Sequence, residues 1–350
     1  MLCAAAVVTA LAAAAAAQAA PAKRLKSPTL AALADAGTPI IDGTVKQPVT
    51  RALAPNGYWG GEYRIASGET VTVYASNSYP MDPTLGQRWA DFLGSLVHGP
   101  ELSRVTVLLA TPDEISRICG TDALACYSAR GEQLFAPGED PSSQISAEAV
   151  VAHEYGHHVA ANRVNPPWDA LDWGPKRWAT AMQVCARTKT GQLYPGAEDP
   201  VHYQQNPGEG WAETYRLLNE QKLGLPQIPW EIVSQSLYPS TAALAAAERD
   251  VVSPWSADTT TVRKGSVTRA SRTRTYTVST PLDGTLKLVL RSSAGLRVQM
   301  DVFASATRVA RVTGGGSLTR STTVCGTRTY KVRVSDLRGR GTFRLTLSEP

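Results

Sequence analysis

A change in composition at Trp255 constrains the fold of this chain more than any other feature of its sequence. All eight tryptophans lie at or before this position. Residues 1–254 contain 18 Lys and Arg but 25 Asp and Glu residues, whereas residues 255–350 contain 17 and 5. The net charge of +5 therefore averages an acidic part of net charge −7 and a basic part of net charge +12. A chain of 350 residues is long enough for two ordinary domains.

The basic part, residues 255–350, is predicted to be a small antiparallel β-domain. Apolar and polar residues alternate in short runs bounded by Gly, Pro, Asp or Ser, which is typical of antiparallel strands. A Cys-Gly pair at Cys325 precedes a strand, and Gly341-Thr342-Phe343 leads to the end of the chain. In these features the region resembles the bacterial pre-peptidase C-terminal domain, a β-sandwich appended to secreted peptidases, and the resemblance implies an all-β sandwich here.

The N-terminus is predicted to carry a secretory signal peptide over residues 1–20. Leu2–Ala17 is apolar and is followed by small residues and then by a basic cluster at 23–26. An Ala-rich anchor is the alternative, because no basic residue precedes the apolar stretch. Residues 21–60 are predicted to be an extended lead-in or propeptide-like segment. No later stretch has the length of a membrane helix, so we expect a secreted mature chain without a membrane span.

Four cysteines remain after such a signal is removed, in a compartment where disulfides persist. The short loop between Cys119 and Cys126 suits a local disulfide. Cys185 and Cys325 are then either partners or free thiols. A CxxC zinc knuckle is excluded, because no pair has that spacing.

Residues 61–254 contain both the alternating apolar pattern of strands and the three-to-four-residue apolar spacing of helices. They predict an α+β domain with a small sheet and several helices. The predicted strands are 69–75, 104–110 and 132–136. The predicted helices are 82–97, a short one opening at 111–114, 146–163, 176–187 and 208–221.

The predicted helix at 146–163 carries an H-E-x-x-H pattern. Helical spacing places His153 and His157 one turn apart on one face, so both imidazoles can reach the same metal ion. Glu154 projects beside them and can accept a proton from an attacking water. His158 lies about 100° further around the helix and is predicted to be structural.

A catalytic zinc ion needs a third protein ligand, and the sequence offers it in Glu209-Gly210-Trp211-Ala212-Glu213. The continuation typical of metzincins, with a third histidine, is absent after His157. Glu209 and Glu213 lie one turn apart on a later helix, and the small Ala212 permits close approach to the histidine helix.

These two motifs together resemble the glutamate-ligated zinc peptidases, the gluzincin group, and more narrowly the lethal-factor type. The resemblance implies a zincin-like α+β catalytic domain over residues 61–254 that binds one Zn²⁺. It implies Glu209 as third ligand, Glu213 as the acceptor that orients a ligand histidine, and Tyr203 as the hydroxyl that stabilises the oxyanion. Glu213 as the ligand, and His202 as donor, ligand or plain loop histidine, remain open.

The sequence therefore predicts a secreted zinc metallopeptidase that acts on peptide or protein substrates, which would pair with an edge strand at 132–136. The alternatives are an exported binding or adhesive protein with a structural zinc site, and a toxin-like peptidase with a single target. For the basic part, no nucleic acid is expected. Its basic residues are interpreted first as the solvated face of a sheet. The functional hypothesis is that they contact a cell surface or an anionic polymer.

Overall fold

The computed structural model of the protein describes residues 55–121 and 123–350. The signal peptide predicted over residues 1–20 and most of the lead-in predicted over 21–60 lie outside the described residues. Every helix within the described ranges is too short or too polar to span a bilayer.

A five-stranded sheet forms the centre of the first part of the fold. Its strands are β1 (Tyr58–Arg64), β2 (Thr70–Ser76), β3 (Thr106–Ala110), β4 (Cys126–Ser128) and β5 (Gln133–Pro137). Their order in the sheet is β1-β2-β3-β5-β4. β2, β3 and β5 are parallel, and β1 and β4 pair antiparallel at the edges. β3 and β5 are buried along their whole length, as expected for parallel strands covered on both faces.

The prediction that the strand at 132–136 forms a sheet edge is wrong. β5 corresponds to this strand, but β4 pairs with its outer side and places Cys126 opposite Phe135. The disulfide between Cys119 and Cys126 holds this three-residue strand in place. An extended ligand that adds to this side of the sheet must therefore pair with β4.

Helices cover the sheet and carry the motif residues. In the described part of the chain they are α1 (Leu85–Ser95), α2 (Pro112–Cys119), α3 (Ala147–Ala161), α4 (Ala170–Trp173), α5 (Lys176–Ala181), α6 (Val184–Lys189), α7 (Pro207–Leu223) and α8 (Thr241–Val252). Ser146 caps α3 by accepting a hydrogen bond from the Ala149 N–H. α3 packs against β5 and α7 and is buried on almost every side, so it forms the core of this part of the fold.

The single helix predicted over 176–187 is wrong, because two short helices occupy this stretch. α5 ends at Ala181 and α6 begins at Val184. Between them Gln183 has a left-handed backbone with φ of 57°, which breaks the helical hydrogen-bond ladder. The break turns α6 so that Cys185 faces the second part of the chain.

The second part of the fold consists of two four-stranded antiparallel sheets. Its strands are β6 (Thr259–Val267), β7 (Thr273–Thr280), β8 (Gly284–Ser292), β9 (Arg297–Ala304), β10 (Thr307–Gly315), β11 (Ser317–Val324), β12 (Arg328–Arg338) and β13 (Gly341–Glu349). One sheet has the order β10-β9-β12-β7 and the other β11-β8-β13-β6. Alternate side chains of both sheets meet in one apolar core. The antiparallel β-structure predicted after Trp255 is therefore present.

Two disulfides are formed within the described residues. Cys119 bonds to Cys126, as the short loop predicted. Cys185 bonds to Cys325 across 140 residues, which settles the alternative between partners and free thiols. The second disulfide fastens α6 to the loop after β11, so it ties the two parts of the fold together. Both bonds fit an oxidising, extracellular environment.

We expect the two disulfides to differ in their effect on stability. Chain entropy predicts that Cys185→Ser with Cys325→Ser lowers the free energy of unfolding by about 5 kcal/mol, and Cys119→Ser with Cys126→Ser by about 2.5 kcal/mol, because the second loop is shorter. Urea unfolding of the two double variants measures this difference. Equal losses would contradict the assignment of the long-range bond as the main covalent constraint.

Candidate metal centre

His153 and His157 lie one turn apart on α3 and point the same ring nitrogen at each other. The two Nε2 atoms are 3.3 Å apart. Both side chains are buried, with 4% and 2% of their surface exposed. Two ring nitrogens this close in a buried site can share either a proton or a metal ion between them.

α7 approaches α3 closely enough to complete this site. A Cβ atom at Gly156, between the two histidines, would lie 2.9 Å from the Ala212 Cα. Trp211 donates a hydrogen bond of 2.7 Å from its Nε1 to the Gly156 carbonyl. The close approach expected from the small Ala212 is therefore present, and Gly156 is equally needed for it.

The close approach brings Glu209 to both histidines. Its Oε2 atom lies 3.4 Å from His153 Nε2 and 3.6 Å from His157 Nε2. Ligand atoms about 2.0–2.2 Å from a tetrahedral zinc ion lie roughly 3.3–3.6 Å from one another. The three atoms thus have the spacing of three corners of a tetrahedral site, and this buried group could hold a metal ion.

Glu213 fulfils a different role from Glu209. Its Oε1 lies 2.8 Å from His153 Nδ1, the ring nitrogen turned away from the candidate site. This hydrogen bond fixes the Nδ1–H tautomer and leaves the Nε2 lone pair for a metal. Arg216 donates to Glu213 at 2.6 and 3.0 Å and to Glu220 at 2.5 Å.

The site predicted from the sequence does not include Arg216 and Glu220. Their spacing could have indicated them, because Arg216 stands three residues after Glu213 and four before Glu220, and side chains at these separations meet on one helix face. The network gives each buried charge a partner, which is required because an unpaired buried ion is costly.

The electrostatics of the site favour ionised carboxylates. Burial raises the pKa of Glu209, but His157 and His153 outweigh it and hold the pKa at about 2. Burial likewise raises the pKa of Glu213, and Arg216 and His153 bring it to about 2. Burial alone would lower the pKa of His153, whereas its hydrogen bonds to Glu209 and Glu213 raise it to about 10. A proton and a metal ion therefore compete for His153 Nε2.

Glu154 and Tyr203 both lie at this centre. Glu154 is buried on α3, and its charge raises the pKa of His153 and of Tyr203. Tyr203 is buried in the short turn before α7 and donates a hydrogen bond of 3.0 Å to Glu209 Oε2. Burial raises the pKa of Tyr203 well above its usual value, so its hydroxyl keeps its proton.

The remaining histidines of the motif region lie away from this centre. His158 is buried, with its Nδ1 3.0 Å from the Tyr127 hydroxyl and its Nε2 2.9 Å from the Glu101 carbonyl, which agrees with a structural role. His202 is on the surface, hydrogen-bonded to Asp199 at 3.0 Å and packed on the Tyr194 ring. It is a loop histidine rather than part of the buried group.

The centre opens to the surface through a narrow pocket. His157 and Glu209 line it together with Leu171, Asp172, Gly196, Glu198, Asn206 and Gly208. Its volume of about 20 Å³ holds about one water molecule. Asp172 and Gly196 therefore lie at the mouth of a pocket that reaches two of the three candidate ligands, His157 and Glu209.

Comparison with known proteins does not assign a family. No protein-family model matches the sequence, and no curated protein matches it. Similar solved structures include the pre-peptidase C-terminal domain of a collagenase from Bacillus anthracis, at 17% identity over 25% of this chain and 87% of that chain, with a TM-score of 0.23. A mitogen derived from Yersinia pseudotuberculosis is similar at 8% identity over 27% and 87%, with a TM-score of 0.22. At these scores the likenesses support no functional argument.

Replacing Glu213 tests the role of its hydrogen bond to His153. We expect Glu213→Gln to weaken zinc affinity about 10- to 100-fold, because the amide holds the imidazole less well. Competition with a chromogenic chelator measures this affinity. Glu220→Gln is the matched control, since it removes the other carboxylate bound to Arg216 but not the one bound to His153. An equal loss in both variants would show that the buried charge network, rather than histidine orientation, sets the affinity.

Proposed function

We propose that this protein is a secreted zinc-dependent peptidase. The observation that carries the proposal is the convergence of His153 Nε2, His157 Nε2 and Glu209 Oε2 at tetrahedral spacing. Glu154 is buried near enough for its charge to raise the pKa of His153. Two imidazoles and one carboxylate are a donor set typical of catalytic zinc, which leaves a position open for water or substrate. The two disulfides support export.

The roles of the residues follow from their placement. A bound zinc ion would polarise the scissile carbonyl and lower the pKa of the attacking water. Glu154 accepts the proton of that water and returns it to the leaving amine. Glu213 holds His153 in the tautomer that presents Nε2. A peptide that entered through the pocket beside His157 and Glu209 would have to move Asp172 and Gly196 apart, because this pocket holds about one water molecule.

Tyr203 is proposed to donate a hydrogen bond to the oxyanion. Its hydroxyl lies against Glu209 Oε2, at 3.0 Å, and keeps its proton. During the reaction the hydroxyl would change its acceptor from Glu209 to the developing negative charge on the substrate. A donor that meets this charge only in the transition state raises kcat rather than ground-state affinity.

The burial of the centre favours a second candidate function. The three candidate ligands are almost fully buried, and the pocket beside them is small. In an exported binding protein with a structural zinc site, the ion would only fasten α3 to α7. Full zinc occupancy combined with no cleavage across a diverse peptide library would support this candidate over the peptidase.

Glu154→Gln separates proton transfer from metal binding. We expect this variant to keep one equivalent of zinc and to lose peptide hydrolysis by at least about 10²-fold, because an amide cannot accept the proton. Peptide-library cleavage with and without a chelator, together with metal analysis, measures both properties.

Glu148→Gln provides the control, since it makes the same change at an exposed position of α3. We expect its zinc content and cleavage rate to match those of the unchanged protein. An unaltered cleavage rate in Glu154→Gln would overturn the proposed mechanism.

Tyr203→Phe tests the proposed oxyanion donor. We expect kcat to fall about 10²- to 10³-fold, with KM and zinc affinity within about threefold, because the hydroxyl acts in the transition state. Steady-state kinetics and chelator competition give the three values. A large loss of zinc affinity with kcat retained at saturating zinc would instead make Tyr203 a residue that only positions Glu209.

A further inference from the structure

Three cations lie side by side on the outer face of the sheet β11-β8-β13-β6. In the strand register Arg344 of β13 is opposite Lys264 of β6 on one side and opposite Arg291 of β8 on the other. Directly paired residues project from the same face of a sheet, with Cβ atoms about 4.5–5.5 Å apart. All three side chains are exposed.

A second row of side chains runs parallel to the cations and carries hydroxyl groups. Thr342 is opposite Ser266, and the Thr342 N–H donates to Ser293 Oγ at 3.2 Å. Thr342 and Ser266 stand two positions along their strands from the cations, so they share the same face, and Ser293 follows directly after the end of β8. All six residues line one shallow groove of about 920 Å³.

The cations in this groove lack acidic neighbours. In the part of the chain that the structure describes, no Asp or Glu forms an ion pair with Lys264, Arg291 or Arg344. In the other sheet, by contrast, exposed arginines have an acidic partner: Arg311 and Arg333 pair with the buried Asp301 at 2.6 and 3.4 Å. Like charges opposite one another destabilise a sheet. A row of three unneutralised cations therefore points to an anionic partner.

The groove suits a linear ligand with repeated negative charges and hydroxyl groups. Arginine binds sulfate and carboxylate groups through two parallel hydrogen bonds, and neighbouring strands repeat these donors about every 4.8 Å. The hydroxyl row offers donors and acceptors to uncharged polar groups of the same ligand. Arg274 extends the positive charge across the edge of β6, where its Nε donates to the Ser266 carbonyl at 3.0 Å.

The groove offers little aromatic surface for stacked bases. Tyr276 and Phe343 line it, but Phe343 is buried and the half-buried Tyr276 ring packs edge-on against Phe343, with its hydroxyl bonded to the Lys264 carbonyl. Single-stranded nucleic acid is typically held by exposed aromatic rings on which its bases stack.

We propose that this groove, formed by Lys264, Arg344 and Arg291 with the hydroxyl row beside them, binds a linear anionic polysaccharide. Sulfate and carboxylate groups on successive sugars contact the cations, and sugar hydroxyls contact Ser266, Thr342 and Ser293. The site lies on the second part of the fold and is independent of the proposed peptidase activity. It would hold the protein on a surface coated with such a polymer.

The test compares two triple variants of the full chain that remove the same charge. One combines Lys264→Ser, Arg291→Ser and Arg344→Ser. The control combines Lys331→Ser, Arg297→Ser and Arg320→Ser, three exposed cations outside the groove. Binding of immobilised heparin, polygalacturonate, neutral dextran and single-stranded DNA is measured over a range of salt concentrations.

We expect heparin or polygalacturonate to bind, and dextran not to. The groove variant should lose about 10- to 100-fold in affinity and its salt dependence should weaken by roughly two to three counterions, whereas the control should stay within about threefold. Comparing the affinities for heparin and for polygalacturonate distinguishes recognition of sulfate groups from recognition of carboxylate groups. A charge-conserving variant, Lys264→Arg with Arg291→Lys and Arg344→Lys, should bind within about tenfold of the unchanged protein, and thermal melting checks that all variants fold.

Equal losses in the groove and control variants would overturn the proposal, because net charge alone would then explain binding. The absence of binding to both anionic polysaccharides would also overturn it. A higher affinity for DNA that depends on the groove residues would reassign the site to nucleic acid.

Discussion

The candidate metal centre depends on the close contact between α3 and α7, because this contact brings Glu209 to the two histidines. At Gly156 the two helices are too close for any side chain to fit between them, because a Cβ atom there would lie 2.9 Å from the Ala212 Cα. The contact is reinforced by the hydrogen bond from Trp211 to the Gly156 carbonyl. Only at this separation can a glutamate on one helix reach both histidines on the other. A larger residue at position 156 would move the Glu209 carboxylate away from them.

Charge balance is the second condition for this arrangement. The buried carboxylate of Glu209 faces both histidines, that of Glu213 faces His153 alone, and Arg216 neutralises Glu213. Glu220 then completes the pairing of Arg216. Glu209 contacts the Nε2 atoms of both histidines, whereas Glu213 contacts Nδ1 of His153 and Arg216, and this is why the two differ in role although they lie one turn apart. The chain thus separates the group that faces the candidate ion from the group that orients a ligand.

The parts of the fold and site that the sequence predicts are those set by local spacing. His153, Glu154 and His157 belong to one helix, so a five-residue pattern suffices to place them together. Spacing alone could not decide between Glu209 and Glu213, because the choice depends on how far α7 is shifted along α3. The same holds for β4, which is too short for a periodic pattern and is held by its disulfide, and for the break at Gln183. The alternating strands after Trp255 were predictable by pattern, but the row formed by Lys264, Arg344 and Arg291 emerges only from their register.

X-ray absorption at the zinc edge of the full chain, loaded with one equivalent of zinc, tests the central claim most directly. We predict a four-coordinate ion with two imidazole nitrogens and oxygen donors at about 2.0–2.1 Å and no sulfur ligand, with one imidazole signal lost in His157→Ala. A spectrum with six oxygen donors, with sulfur, or unchanged in His157→Ala would contradict the assignment of His153, His157 and Glu209 as the metal site.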